Sequence, residues 1–301
     1  RPFADSVDTD TMGNLIVLKK GKSSEKKLML AAHMDEIGFV VTYIEESGFL
    51  RVSNIGGINA VASAYHKVIF ENGTVGVLVV ESGTAFGDVA VKKMYVDIGA
   101  KNKKEAERKV KIGDCLSVAP ELIKLGSNRY AAKAFDDRLA CALLAEVART
   151  CEKPAYDTYF VFTVQEEVGC RGAAGAAFRL MPDIGLALEG TTANDMGDTP
   201  AVHHVCRVGQ GTTVSFMDNA SIANPELFRD MLALAQKEGI PHQVKMSVSG
   251  GNEGGTMQRT GAGVRTCVLS VPCRYIHSPS TVCAASDIEA QYRLAKAFLE
   301  K

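Results

Sequence analysis

The sequence predicts an α/β fold: a mostly parallel-sheet domain with helices on both faces, carrying an inserted small β-rich module. Three observations predict it. Four short apolar runs with little polar alternation are spread along the chain, as expected of strands buried on both faces. Helical patterns lie between and after them, the alternation that builds parallel sheets. Residues 46–131 break the pattern, being rich in glycine, valine and turn signals and lacking a long helix.

Residues 27–32 (KLMLAA) are the strongest strand candidate and run straight into HMDEIGFVV, residues 33–41. The inserted stretch follows, with NIGGIN, ENGTVGVLVVESG, DIGAKNKK and KIGD as turn signals between alternating Val and Ile. Short strands joined by frequent turns predict a small barrel, sandwich or PDZ-like module. Within it, KNKKEAERKV predicts a short solvated helix or turn. Residues 136–150 (DDRLACALLAEVART) are apolar at helical spacing, and TYFVFTV (158–164) and DIGLALE (183–189) are the next two strands. A helix over 224–238 is marked by Asn224 as N-cap, Pro225 at its first position and Gly239 past its end. RTCVLSVP (265–272) is the fourth strand, and a last helix over 286–300 opens on Ser286 with Glu289 three residues on, a capping-box pattern. The expected domains are therefore 1–45 with 132–301, and the insert 46–131.

Composition excludes several classes. A chain of 301 residues with 46% hydrophobic and 23% charged residues is an ordinary globular protein. The 34 Lys and Arg against 35 Asp and Glu leave a net charge of −1, so no strong field draws it to nucleic acid or anionic lipid. No apolar run approaches the ~18 residues of a membrane span, and no apolar signal region stands at the start. The eight cysteines show no CxxC pair and no regular spacing, which predicts free thiols, a reducing cytoplasmic setting and no zinc–thiolate site.

The polar residues carry the functional signal. His33 and Asp35, Glu166 and Glu167, and Glu189 stand at the ends of three expected strands, and His277 lies five residues past the fourth. Asp136 and Asp137 open an expected helix. In open α/β sheets the ligand crevice lies beyond the carboxyl ends of the strands, so these side chains are expected to converge. Two imidazoles and several carboxylates suit Zn²⁺, Co²⁺ or Mn²⁺. His33, Glu189, Glu167, His277 and Asp136 make the ligand count for two divalent ions, and Glu166 remains as general base. Each motif alone is weak, since HxD, EE or DDR commonly marks a structural pair, a solvated loop or a helix cap. Together they crowd carboxylates that would repel one another without a cation. His66, His203, His204 and His242 are expected to be solvated or structural, and SGGNEGGT (249–256) is expected to be a loop lining the pocket.

AAHMDEIGFVV, KAFDDRLACALL, TVQEEVGCRGA, LALEGTTANDMGD and VPCRYIHSPS resemble, in order and spacing, the dinuclear metallo-aminopeptidases that form tetrahedral dodecamers. The family includes deblocking and glutamyl aminopeptidases and cellulase M-like proteins. The resemblance covers nearly the whole chain. It implies that His33 and Glu189 hold one metal, Glu167 and His277 the other, with Asp136 bridging. Glu166 would take a proton from the attacking water, and Asp35 would fix the His33 imidazole. It further implies two divalent ions per subunit (zinc, with cobalt or manganese also suited), peptide substrates, and an insert that dimerises and shapes entry to the site. Self-association from dimer to dodecamer and a cytoplasmic location also follow. Two departures stand out. Glu189 occupies a position where aminopeptidase members often carry Asp, and a helix of ~30 residues that precedes DTMGNLIV in the family is not in this sequence, which would leave an apolar face exposed. A metal-dependent deacylase or glycosidase, and a non-catalytic peptide-binding assembly protein, are the alternatives.

Overall fold

The four apolar runs become the centre of one sheet. The computed structural model describes residues 3–301. In chain order it contains β1 (Ser6–Thr9), β2 (Leu15–Lys19), β3 (Ser23–His33), β4 (Gly38–Ile44), β5 (Leu50–Ile55), α1 (Ala60–Ser63), β6 (Lys67–Phe70), β7 (Val75–Val80), β8 (Met94–Asp97), α2 (Lys103–Ala106) and β9 (Cys115–Val118). Then follow β10 (Ile123–Leu125), β11 (Arg129–Ala132), α3 (Phe135–Thr150), β12 (Tyr156–Thr163), α4 (Arg171–Leu180), β13 (Ile184–Thr192), β14 (Thr212–Ser215), α5 (Pro225–Lys237), β15 (His242–Val244), α6 (Glu253–Gln258), β16 (Arg265–Cys273), β17 (Thr281–Ala284) and α7 (Ala285–Glu300). The large sheet has the order β1-β2-β12-β3-β13-β16-β14-β15. Its centre, β12-β3-β13-β16, is parallel, while β1, β2 and β14 pair antiparallel with their inner neighbours.

Both faces of this sheet are covered, which is why its central runs show no polar alternation. Leu28, Leu30 and Ala32 pack into the core formed with α3, α5 and α7. Met29 and Ala31 belong to the opposite core, with Ala176, Ala177 and Leu180 of α4 and Met257 of α6. The α5 helix starts as expected: the Asn224 side chain accepts from the Leu227 N–H, and Pro225 occupies the first position.

The insert closes into a six-stranded barrel, β4-β5-β8-β7-β6-β9. Its interior is Phe39, Val41, Ile44, Leu50, Val68, Leu78, Met94, Val96 and Leu116. The barrel begins at Gly38 and not at 46, because the Gly38–Ile44 strand leaves the sheet after His33 and pairs with β5 and β9. Its last strand ends at Val118, and β10, β11 and β17 form a separate small sheet. KNKKEAERKV contains the short helix α2, capped by the Asn102 side chain on the Glu105 N–H.

Two helix starts differ from expectation. The α7 helix begins at Ala285, with Ala284 at its cap and no side-chain cap bond, so Ser286 and Glu289 form no capping box. The Asn128 carbonyl instead accepts the Ala285 N–H, and the Asn128 side-chain oxygen accepts the Ser286 N–H. Asp136 and Asp137 do not open a regular helix either. Asp136 has φ −89°, ψ 105° and Asp137 φ −126°, ψ 25°, so the chain turns there. This frees both carboxylates from capping duty. Among the described residues no helix is long and apolar enough to cross a membrane.

Candidate metal centre

Strand register sets the site. Thr163 of β12 pairs with His33, and β3 and β13 remain paired as far as Ala31 and Ala187. His33 and Glu189 therefore stand at one level just past that pairing, at the carboxyl edge of the parallel sheet. The loop that follows β12 is pinned by the buried Asn14. Its side-chain oxygen accepts the Val164 N–H at 3.0 Å, and its amide donates to the Gly172 carbonyl at 2.9 Å. Between these two points the chain carries Glu166 and Glu167. Their N–H groups donate to the two carboxylate oxygens of Asp35, at 3.0 and 3.1 Å.

Asp136 is the hub. His33 Nε2 lies 3.3 Å from its Oδ1, and His277 Nε2 lies 3.3 Å from its Oδ2. On the His33 side, Glu189 Oε2 is 3.7 Å and Glu166 Oε2 3.9 Å from the imidazole nitrogen. On the other side, Glu167 Oε2 is 3.5 Å from His277 Nε2. All six side chains named as metal-binding or basic in the sequence thus meet at one place. Asp35 is there too, but differently from expectation: its backbone carbonyl, at 3.1 Å, and not its carboxylate, at 3.7 Å, orients His33 Nδ1. Its carboxylate holds the Glu166–Glu167 backbone instead. Asp137 is fully buried, and its Oδ2 accepts the His33 N–H at 3.3 Å.

The electrostatics describe crowded negative charge. Burial pushes the Asp136 carboxyl up, yet hydrogen bonds from His277 and His33 outweigh it and hold the pKa at about 2. Burial, with the Asp136 charge, lifts Glu167 to about 7. Burial, then Asp137, raises Glu189 well above the carboxylate range, and burial also raises Glu166. For His33 burial favours the neutral ring, but Asp136, Glu189 and Glu166 reverse this and raise its pKa well above the usual value. The Asp136 hydrogen bond does the same for His277. Without a cation, these groups must take up protons to coexist. A divalent ion relieves the same repulsion and uses the same donor atoms. The buried Glu167 Oε1, which has no hydrogen-bond partner, is free to be such a donor. The residues present therefore fit divalent metal. His33 with Asp136 and Glu167, and His33 with Asp137 and Glu189, each bring ligand atoms within 4.8 Å of one another.

Three contributors escaped the sequence reading. Glu253, first residue of α6, is fully buried, its N–H lies 3.4 Å from Glu189 Oε1, and burial lifts its pKa to about 7. It hid in SGGNEGGT, where residues 249–252 do line the cleft but Asn252 then caps a helix, accepting the Gly254 N–H. Gly57 belongs to the barrel loop, yet a Cβ there would sit 2.9 Å from His277 Nδ1. NIGGIN is a tight approach to the site as well as a turn. Lys245, just past β15, lines the same cleft as Glu189 and Glu166 and is buried. The barrel further supplies Phe39, Ile58, Ser63 and Val118 to a cavity against Asp136, Glu167 and His277.

The remaining histidines lie elsewhere: His204 Nε2 is 3.0 Å from the Thr199 carbonyl and His242 Nδ1 2.8 Å from that of Ile240. All eight cysteines are free, as expected. Two of them serve the site: Cys170 Sγ donates to Glu166 Oε1 at 3.2 Å, and Cys141 Sγ to the His33 carbonyl at 3.0 Å.

Comparisons agree with this architecture. A lysyl aminopeptidase of Pyrococcus furiosus is 36% identical over 313 residues, covering 100% of this chain and 88% of the relative. The solved aminopeptidase APDkam598 of the archaeon Desulfurococcus kamchatkensis superposes with a TM-score of 0.95 at 33% identity, covering 100% of this chain and 86% of that one. The Pyrococcus horikoshii TET1 peptidase, described as assembling into a tetrahedron or a large octahedral shell, gives a TM-score of 0.87 at 28% identity over 99% and 90% of the two chains. The M42 glutamyl aminopeptidase family matches residues 13–294, nearly the whole sheet domain and all of the barrel, and the chain belongs to that family.

Proposed function

We propose that this protein is a metal-dependent aminopeptidase that removes N-terminal residues from peptides. One observation carries the reading. The two oxygens of Asp136 each face an imidazole at 3.3 Å, and each imidazole has a further carboxylate within 4 Å, Glu189 or Glu167. That arrangement suits two divalent ions, one held by His33 and Glu189, the other by Glu167 and His277, with Asp136 shared. Bound there, such ions would polarise the first carbonyl of the substrate and lower the pKa of the attacking water.

The chain's own residues do the rest. Glu166 Oε2 stands beside the His33 imidazole, while its Oε1 receives the Cys170 thiol and its backbone is tied to Asp35. The carboxylate is thus held in one orientation, as a base must be to take a proton from water and return it to the leaving amine. Burial raises its pKa toward the working range of a base. The barrel wall narrows the approach to His277 and excludes bulk water from that side.

The relatives support assembly as well. The tetrahedral and octahedral shells described for TET1 suggest that this chain self-associates through the barrel, from dimers upward, and encloses its active sites. The test of the ligand reading is metal analysis. Purified protein is expected to hold about two zinc, cobalt or manganese ions per chain, and His277→Ala is expected to lose at least one. Full occupancy in His277→Ala would refute its place among the ligands.

A further inference from the structure

The cleft beside Glu189 contains a cation with no counter-ion. Lys245 is only 4% exposed. Its backbone N–H continues the pairing of β15 with β14 by donating to the Val214 carbonyl, which fixes where the side chain starts. Its ammonium donates to the Ser249 carbonyl at 2.7 Å. No carboxylate of the described residues lies within 4.0 Å of it. The nearby Asp218 is already engaged, accepting from the Ala220 and Ser221 N–H groups, the Ser221 hydroxyl and the Asn252 amide. An ammonium has three donors, so two remain.

Buried lysines are almost always paired, because an unpaired buried charge is costly. Burial accordingly pulls the Lys245 pKa down, while Asp218 pushes it back up. A further carboxylate beside it would stabilise the charged form. The cleft in which Lys245 stands, about 220 Å³, is shared with Glu166, Glu189 and the Gly250–Gly251 turn. A molecule whose carbonyl reaches the metal centre therefore extends to Lys245 within one side-chain length. The cavity on the other flank, toward His277, is walled by Phe39, Ile58, Val118 and Pro279 and offers no such cation facing Glu189.

We propose that Lys245 is a specificity-determining residue that pairs with the side-chain carboxylate of an N-terminal Glu or Asp. This rests on the aminopeptidase reading above and narrows it to acidic first residues. Carboxylate recognition by a buried donor rejects the uncharged amide strongly, because the donor is otherwise left unpaired.

The experiment compares kcat/KM for Glu-, Asp-, Gln-, Leu- and Lys-anilides, which lack a C-terminal carboxylate. It is run on wild type, Lys245→Met and Lys245→Arg, with binding of free L-glutamate and L-glutamine measured by calorimetry. Wild type is expected to favour Glu over Gln by at least about tenfold. Lys245→Met should bring that ratio near one, and Lys245→Arg should restore part of it. A change in packing alone would lower all substrates together and leave the ratio intact. Equal rates on Glu and Gln in wild type, or an unchanged ratio in Lys245→Met, would overturn the proposal. So would a Lys245-dependent preference for Leu-Gly over leucyl-glycinamide, which would assign the ammonium to the peptide's C-terminus. If no anilide is cleaved, the aminopeptidase reading fails. The calorimetric preference for glutamate, lost in Lys245→Met, then decides the Lys245 assignment by itself.

Discussion

The barrel and the edge of the parallel sheet bury opposite kinds of side chain. Between Gly38 and Val118 the buried residues are apolar, Ser63 being the one buried polar residue among them. The sheet domain buries His33, Asp137, Glu189, Lys245 and Glu253, all around one cleft. A barrel interior built of Leu50, Val68, Leu78 and Met94 gains stability from every contact. The sheet edge gives stability away, because each buried carboxylate costs desolvation that no protein partner fully returns. The difference teaches where to look for function: the region whose buried groups repel one another is the one that needs something from outside the chain.

Substitutions in the two regions should therefore separate activity from stability. The largest effect is expected for Glu166→Gln. Turnover should fall at least ~10²-fold, with metal content and melting temperature near those of wild type; normal turnover would remove Glu166 from the role of base. Next is Leu78→Ala in the barrel, which deletes a fully buried side chain. It should cost about 2–5 kcal/mol of unfolding free energy, measured by denaturant titration, while the folded fraction keeps its metal.

Gly57→Ala probes the one place where the regions touch. The new Cβ would crowd His277 Nδ1, so metal affinity should fall by about tenfold, the low end for disturbing a ligand's surroundings. Unchanged affinity would mean that the barrel loop does not hold His277 in place.

The smallest effect lies away from the cleft, at the bidentate pair of Arg274 with Asp195, at 2.6 and 2.9 Å. Burial raises the Asp195 pKa, but the Arg274 hydrogen bond and the Val208 N–H outweigh it and hold it below the usual value. A carboxyl with a depressed folded pKa adds stability that is present above its unfolded pKa, about 3.9. That stability is lost as pH falls through the folded value. Asp195→Asn should cost about 1–2 kcal/mol near neutrality, and the difference from wild type should shrink below pH about 4. A difference independent of pH would show that packing, not charge, is at stake.

Legibility in the sequence followed the same division. The four central strands could be read because burial on both faces removes polar residues altogether, as in LMLAA and FVF. The helix over Pro225–Lys237 could be read because its signals are local, Asn224 and Pro225 at one end and Gly239 at the other. The ligand set could be read because strand ends concentrate it. What was hidden depends on distant contacts. The Gly38–Ile44 strand follows His33 so closely that only its pairing with β5 and β9 assigns it to the barrel. Asp136 and Asp137 look like helix caps until their backbone turns toward His33 and His277. The supposed Ser286 cap is displaced by Asn128, which is far away in sequence. Glu253 and Lys245 stand in unremarkable runs, and only burial beside Glu189 marks them.

The central claim is that the converged carboxylates and imidazoles exist to hold metal for peptide hydrolysis. The most direct test measures release of free amino acid from unblocked and N-acetylated forms of the same peptides, before chelation, after it, and after metal is restored. The account predicts release from unblocked peptides only, abolished by the chelator and recovered with zinc, cobalt or manganese. Release that persists at full rate in metal-free protein, or that is equal for acetylated peptides, would contradict it.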